Sequence, residues 1–167
     1  MRSLTSLLPD LAPILGLTTQ ALYERQRSLI RMRLLPAPTG RGRGSGGPEA
    51  TPDTVALLII AVMATDNLSE VDERVQKLAF APFVHKRKDR CPWTEQRTFK
   101  DALSFILSGN APTAKAGTHT SITVLRSDHS ATIYFSWPKR PRPKDAISDF
   151  GHKDRTGDRL LVHAELP

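Results

Sequence analysis

One cysteine, Cys91, stands alone among 167 residues. A single thiol closes no intramolecular disulfide, so the chain has no oxidised framework and the reducing cytoplasm is its expected compartment. Long hydrophobic runs are missing too. The longest uncharged apolar stretch, Val55 to Ala64, falls well short of the ~20 residues that a bilayer span requires. It reads as a buried helix, and no membrane partner is expected. The N-terminal stretch places Pro9, Asp10 and Pro13 where a secretory leader would need an unbroken apolar run and a small-residue cleavage site, so a leader is not expected.

Patterns that carry chemistry are equally scarce. His85, His119, His129, His152 and His163 share no ligand spacing with one another or with Cys91, and no metal site is expected. Gly42, Gly44 and Gly47 match a G-x-G-x-x-G string. No strand precedes them, Pro48 follows, and no Gly-Lys-Ser/Thr completes a phosphate loop, so no nucleotide cofactor is expected. Nothing resembles a nucleophile elbow or a pair of working carboxylates. Tyr23 and Tyr134 are the two candidates for a strand-cleaving tyrosine, and Tyr23 has Arg25 and Arg27 nearby, but Tyr23 belongs to a helix with a different expected use. The chain is therefore read as a non-enzyme.

What is present is positive charge, unevenly placed. The net charge is +7; residues 1–50 carry +4, 51–83 carry −3, 84–100 carry +4, 101–137 carry 0 and 138–167 carry +2. A polyanionic partner matches such clustering, whereas an evenly mixed basic surface would only aid solubility.

Periodicity divides the chain into helices followed by strands. Leu7, Leu8, Leu11, Ile14 and Leu15 predict a first helix over Thr5–Leu15, shortened or kinked by Pro13. Gly16 and Thr18 then supply a left-handed turn and a helix cap for a second helix, Thr19 to Leu34. Thr51-Pro52-Asp53 starts a third, Pro52 to Ala64: a Thr cap, a Pro at the first position and an acid in the first turn. A fourth is expected from Ser69 to near Phe80. Thr94 caps a fifth, residues 94–107, with Phe99, Ala102, Leu103 and Ile106 as its apolar stripe. The period then becomes two, which predicts strands near 120–126, 131–137 and 159–166, with Pro138 to Asp158 as a long charged loop.

The second helix has two contrasting sides. Leu22, Leu29 and Ile30 share one; Gln20, Glu24, Arg27 and Arg31 lie opposite, flanked by Thr19 and Tyr23. After it, Gly40-Arg41-Gly42-Arg43-Gly44-Ser45-Gly46-Gly47 sets two guanidiniums on a backbone with little side-chain bulk. Such a loop suits close approach to phosphates or entry into an A·T minor groove. A solvated helix face and a plain linker are the bland alternatives.

Gly16-Leu17-Thr18-Thr19-Gln20-Ala21-Leu22-Tyr23-Glu24-Arg25-Gln26-Arg27-Ser28-Leu29, followed by Leu34-Leu35 and Gly40-Arg41-Gly42, resembles the recognition helix and wing of winged helix-turn-helix DNA-binding regulators, over residues 5–50. The stretch between Leu35 and Thr51 is too rich in Gly and Pro for two regular wing strands, so an irregular arm is the alternative to a β-wing. The resemblance implies a sequence-specific transcriptional regulator that binds double-stranded DNA as a homodimer. On the residues' own chemistry, Gln20 and Tyr23 are expected at base edges in the major groove, Thr18 with its neighbours' amides, Arg27 and Arg31 at backbone phosphates, and Arg41 and Arg43 at the backbone or in the minor groove; Thr19, on the flank, completes the expected DNA-binding set.

The fold expected is α+β. A helical DNA-binding unit spans 1–83, a basic connector 84–93, and a helix packed on a three-stranded antiparallel sheet 94–167, which would pair subunits or recruit a protein partner. The competing function is a nucleic-acid-organising or assembly protein of phage or mobile-element type, without sequence choice. In a bacterium either would sit with the nucleoid.

Overall fold

A computed structural model describes residues 2–37, 47–67, 71–85, 87–110, 119–136, 147–151 and 161–166, with the backbone alone at 71, 72, 119, 136 and 161–166. The chain forms two compact units, Met1–Val75 and Gln76–Pro167. Its class is α+β. In chain order the elements are α1 (Leu4–Ile14), α2 (Thr19–Arg31), α3 (Pro52–Ala64), α4 (Val71–Ala79), α5 (Phe99–Leu107), β1 (His119–Leu125), β2 (Ser130–Ser136), β3 (Ile147–Phe150) and β4 (Leu161–Leu166).

In the first unit, Ser3 caps α1 by accepting a hydrogen bond from the Ser6 amide, and the helix continues through both Pro9 and Pro13. Leu4, Leu8 and Ala12 form its buried stripe. Ile14, expected on the apolar side, is 73% exposed. The helix closes as a Schellman turn: Gly16 takes φ +65, and the amides of Gly16 and Leu17 donate to the carbonyls of Pro13 and Ala12. Thr18 caps α2 through its hydroxyl oxygen, 3.1 Å from the Ala21 amide.

The end of α2 repeats this closure with an unusual residue. Arg33 N donates to Ile30 O and Leu34 N to Leu29 O, both at 3.0 Å, while Arg33 itself holds φ 60, the conformation in which glycine costs least. α2 therefore stops at Arg31, short of the Leu34 that its composition predicts.

α3 has the bounds its start signals predict. Thr51 and Thr54 form a reciprocal capping box with Pro52 at the first position. Nine of its residues are buried, from Thr54 to Ala64, so this uniformly apolar helix is covered within one chain. It packs on α2, and α2 packs on α1. Arg25 fastens α2 to the far end of α3: it is buried, with Nη1 donating to Ala21 O and Nη2 to Thr65 O at 3.3 Å. A guanidinium there meets the negative end of the α3 dipole.

The second unit is built on one antiparallel sheet of order β3-β2-β1-β4. The expected hairpin is β1–β2, with Ile122 opposite Ile133 and Val124 opposite Ala131. Their side chains, with Phe135 and Phe150, are buried on one face. A further strand, β3, lies inside the segment expected to be loop. Its buried positions are Ser148 and Phe150, so only one of the two is apolar and the alternation is faint.

α5 packs toward this sheet through Phe99, whose ring lies 5.7 Å from that of Phe150. The helix begins at Phe99 with Thr98 as its cap, not at Thr94. Glu95 at φ 60 interrupts the helical backbone. The residues beyond it pair with the chain after α4 instead: Phe83 N donates to Arg97 O and Phe99 N to Ala81 O. On its other side the same segment pairs with β3, through Val84 N to Asp149 O and Gly151 N to Pro82 O. Val84, at the start of the segment expected to be a connector, is thus bonded to the second unit's sheet.

Candidate nucleic-acid interface

The amphipathic period of α2 places its polar residues together. Thr18, Thr19, Gln20, Tyr23, Arg27 and Arg31 are all exposed, and Gln20, Tyr23, Arg27 and Arg31 recur at three- and four-residue steps along one face. The opposite face carries buried Leu22, Arg25, Gln26, Ser28 and Leu29. Such a helix is held firmly from behind and presents its outward side as a continuous polar strip about three turns long.

At the start of the strip, the first-turn amides of Thr19 and Gln20 lie outside the helix's own ladder. They sit at the positive end of the dipole, which favours an anion. Thr18 spends its oxygen on the cap, and its hydroxyl proton remains a donor. One turn on, Gln20 Nε2 donates to Glu24 Oε1 at 2.8 Å, and Arg27 Nη1 stands 3.6 Å from Glu24 Oε2. Glu24 thus engages the side chain expected to read a base and one expected to hold a phosphate. Tyr23 is 39% exposed. Arg31 and Arg33 are exposed at the far end.

Arg41 and Arg43 lie outside the described residues. The loop that carries them is fixed where it returns. Gly47 sits against the hydrogen bond between Gln26 Nε2 and Thr5 Oγ1, itself 2.8 Å long. A Cβ on Gly47 would approach Gln26 Nε2 to 2.8 Å and Thr5 Oγ1 more closely still. Next, Leu4 N donates to Pro48 O and Ala50 N to Arg2 O. The loop's end is therefore tied to the start of α1 and the middle of α2, behind the exposed strip.

Comparison with known families, characterised proteins and solved structures gives no match. The functional reading rests on the chain's own residues. Among the described residues, no group of three or more His, Cys, Asp and Glu is placed to hold a metal ion, and no helix is long and apolar enough to cross a membrane.

Sequence reasoning did not find Arg25 and Gln26 as buried polar anchors or Arg33 as a left-handed helix stop. A signal for the first two exists in the helical wheel, where both flank Leu22 and Leu29 on the buried side. Arg33 has none, because arginine is not a residue that marks a left-handed position.

Proposed function

We propose that the first unit binds double-stranded DNA through α2, and that the protein acts in the cytoplasm as a sequence-specific transcriptional regulator. Gln20 and Tyr23, near the helix start, address base edges in the major groove. Arg27 and Arg31, one and two turns further on, address backbone phosphates. The observation that carries this reading is the common exposed face of Gln20, Tyr23, Arg27 and Arg31 on a helix whose other side is fully committed to packing. Clustered positive charge in residues 1–50 supports it. Two copies on a two-fold site would double the sequence read. Their contact would lie elsewhere than on α3, which one chain already covers.

A second reading, sequence-independent organisation of nucleic acid, draws on the Gln20–Glu24 hydrogen bond, which occupies the amide that would read adenine. Selection of bound fragments from random DNA separates the two, since a regulator prefers its site by about 10³ or more. Point variants refine the answer. Gln20→Ala should cost about 1 to 3 kcal/mol on the selected site and little on random DNA. Arg31→Ala should weaken both alike and lower the slope of log affinity against log salt by about one. Equal effects of the two substitutions on both DNAs would replace the regulator by the organising protein.

A further inference from the structure

The second unit contains a basic segment that the α2 reading leaves unused. Residues 84–100 carry net charge +4; Lys86 lies outside the described residues, and the structure describes the other charged side chains. Asp89 is answered by Arg97 at 2.9 Å, and Lys100 is paired with Asp101 at 2.9 Å. Arg87, Lys88 and Arg90 are exposed. Arg90 Nη1 reaches only a backbone carbonyl, that of Glu95, at 3.5 Å. Among the described residues, the side chains of Arg87 and Lys88 make no ion pair or hydrogen bond. Among the described residues, three cations within four positions therefore have no ion-pair partner.

They are also held in place. Both ends of the loop are anchored to neighbouring residues of β3: Val84 N donates to Asp149 O at 2.8 Å, and the buried Cys91 thiol lies 2.9 Å from the buried Ser148 hydroxyl. Cys91 N to Gln96 O and Glu95 N to Cys91 O close the far side. Within the loop, Arg87 N donates to His85 Nδ1 at 3.2 Å, while the His85 ring stacks on Phe83 with centroids 6.1 Å apart.

Like charges kept close together on a pinned loop raise the energy of the free protein and are relieved by a partner with regularly spaced negative charge. A phosphodiester backbone has that spacing. An anionic bilayer would in addition reward an apolar side chain that inserts; within residues 83–93 Phe83 and Cys91 are buried and Trp93 packs on Phe135 at 6.0 Å, and the exposed apolar groups Phe80 and Ile147 lie outside this loop.

We propose that Arg87, Lys88 and Arg90 form a second, sequence-independent contact for a nucleic-acid phosphate backbone, located in the second unit and separate from α2. The proposal rests on the α2 reading only for the choice of duplex DNA as probe.

The test uses the full chain, a labelled random-sequence duplex and a series of salt concentrations. Arg87→Ala with Lys88→Ala should lower affinity about tenfold near 0.1 M salt and reduce the log–log salt slope by about two, with an unchanged melting curve. The charge-preserving pair Arg87→Lys with Lys88→Arg should keep the slope of the parent protein, which excludes a folding defect as the cause. An unchanged slope in the double alanine variant overturns the proposal. The variant Arg27→Ala with Arg31→Ala is measured in parallel. Loss there alone sinks the loop contact and keeps α2; loss in the loop variant alone does the reverse. Sedimentation with vesicles rich in phosphatidylserine is the last arm. If the loop substitutions abolish vesicle binding while the DNA slope stays the same, the site belongs to a membrane and the nucleic-acid assignment is wrong.

Discussion

Gln20 and Glu24 are joined side chain to side chain across one turn of α2, Nε2 to Oε1, at 2.8 Å and in contact with solvent. A surface pair of this kind is worth no more than about 0.5 kcal/mol, whereas a bidentate contact from glutamine to adenine contributes about 1 to 3 kcal/mol of discrimination. Exchange of the first for the second is downhill on the right base and uphill on a wrong one. On the proposed reading, Glu24 would therefore compete with DNA for the Gln20 amide.

Replacing Glu24 tests that role. Glu24→Ala removes a carboxylate facing the expected phosphates and releases both Gln20 and Arg27. Affinity for random DNA should rise several-fold at low salt, and the gain should fade as salt screens the exposed charge, with a Debye length of ~10 Å at 0.1 M. Fluorescence anisotropy at two salt concentrations is sufficient, and an affinity that falls at both contradicts the placement of α2 on DNA.

Arg33 occupies a helix-ending position at φ 60 that suits glycine. Arg33→Gly should raise stability by about 0.5 to 1 kcal/mol, the left-handed strain relieved less the greater entropy of an unfolded glycine. Thermal melting should then shift upward by a few degrees. A lower midpoint would mean that the arginine side chain contributes more than its backbone costs.

Gly47→Ala should have the opposite effect. The new methyl would meet the half-buried Thr5–Gln26 hydrogen bond, and forcing those groups apart leaves polar atoms of the buried Gln26 unpaired, for a cost of about 1 to 3 kcal/mol. In a Thr5→Ala background the cost should shrink, because the nearest obstacle is gone. Equal costs in the two backgrounds would place the strain elsewhere.

Asp101 gives a dependence on pH. Burial raises its pKa, but hydrogen bonds from Lys100 and Thr98 and the Lys100 charge prevail and hold it below its ordinary value of 3.8. Thr98 Oγ1 donates to Asp101 Oδ2 at 2.7 Å. A depressed carboxylate stabilises the fold above its unfolded pKa, and that contribution disappears as pH falls through the folded value. Asp101→Asn should therefore be less stable than the parent at pH 7, by under about 1 kcal/mol for so exposed a group. The gap should narrow below about pH 4. Melting curves of both proteins at pH 7 and pH 3 decide it.

Local signals with a definite mechanism were legible in the sequence. Thr51-Pro52-Asp53 set the start of α3, Gly16 and Thr18 set the turn before α2, and the alternation of Ile122, Val124, Ile133 and Phe135 set the β1–β2 hairpin. The polar strip of α2 was readable for the same reason, since a period of 3.6 fixes which residues share a face. Features decided by tertiary pairing were not. Thr94 is as good a cap in isolation as Thr98, and only the pairing of residues 81–83 with 97–99 excludes it. β3 is short, and Ser148 hides half of its buried pattern. The burial of Arg25 depends on the carbonyl of Thr65, 40 positions away.

The strip of chain after α4 has one more consequence. Residues Pro82, Phe83 and Val84 run along the outer side of β3, with Phe83 opposite Phe150 and hydrogen bonds from Val84 and Gly151 holding them there. An open strand edge is a template on which other molecules can add strands, and here that template is covered by the protein's own backbone. Uncovering it means releasing a segment that carries the buried Phe83 and that also pairs with residues 97–99. Amide exchange at Val84 and Gly151 reports the opening of this edge directly, and its comparison with global unfolding tells whether the edge opens by itself.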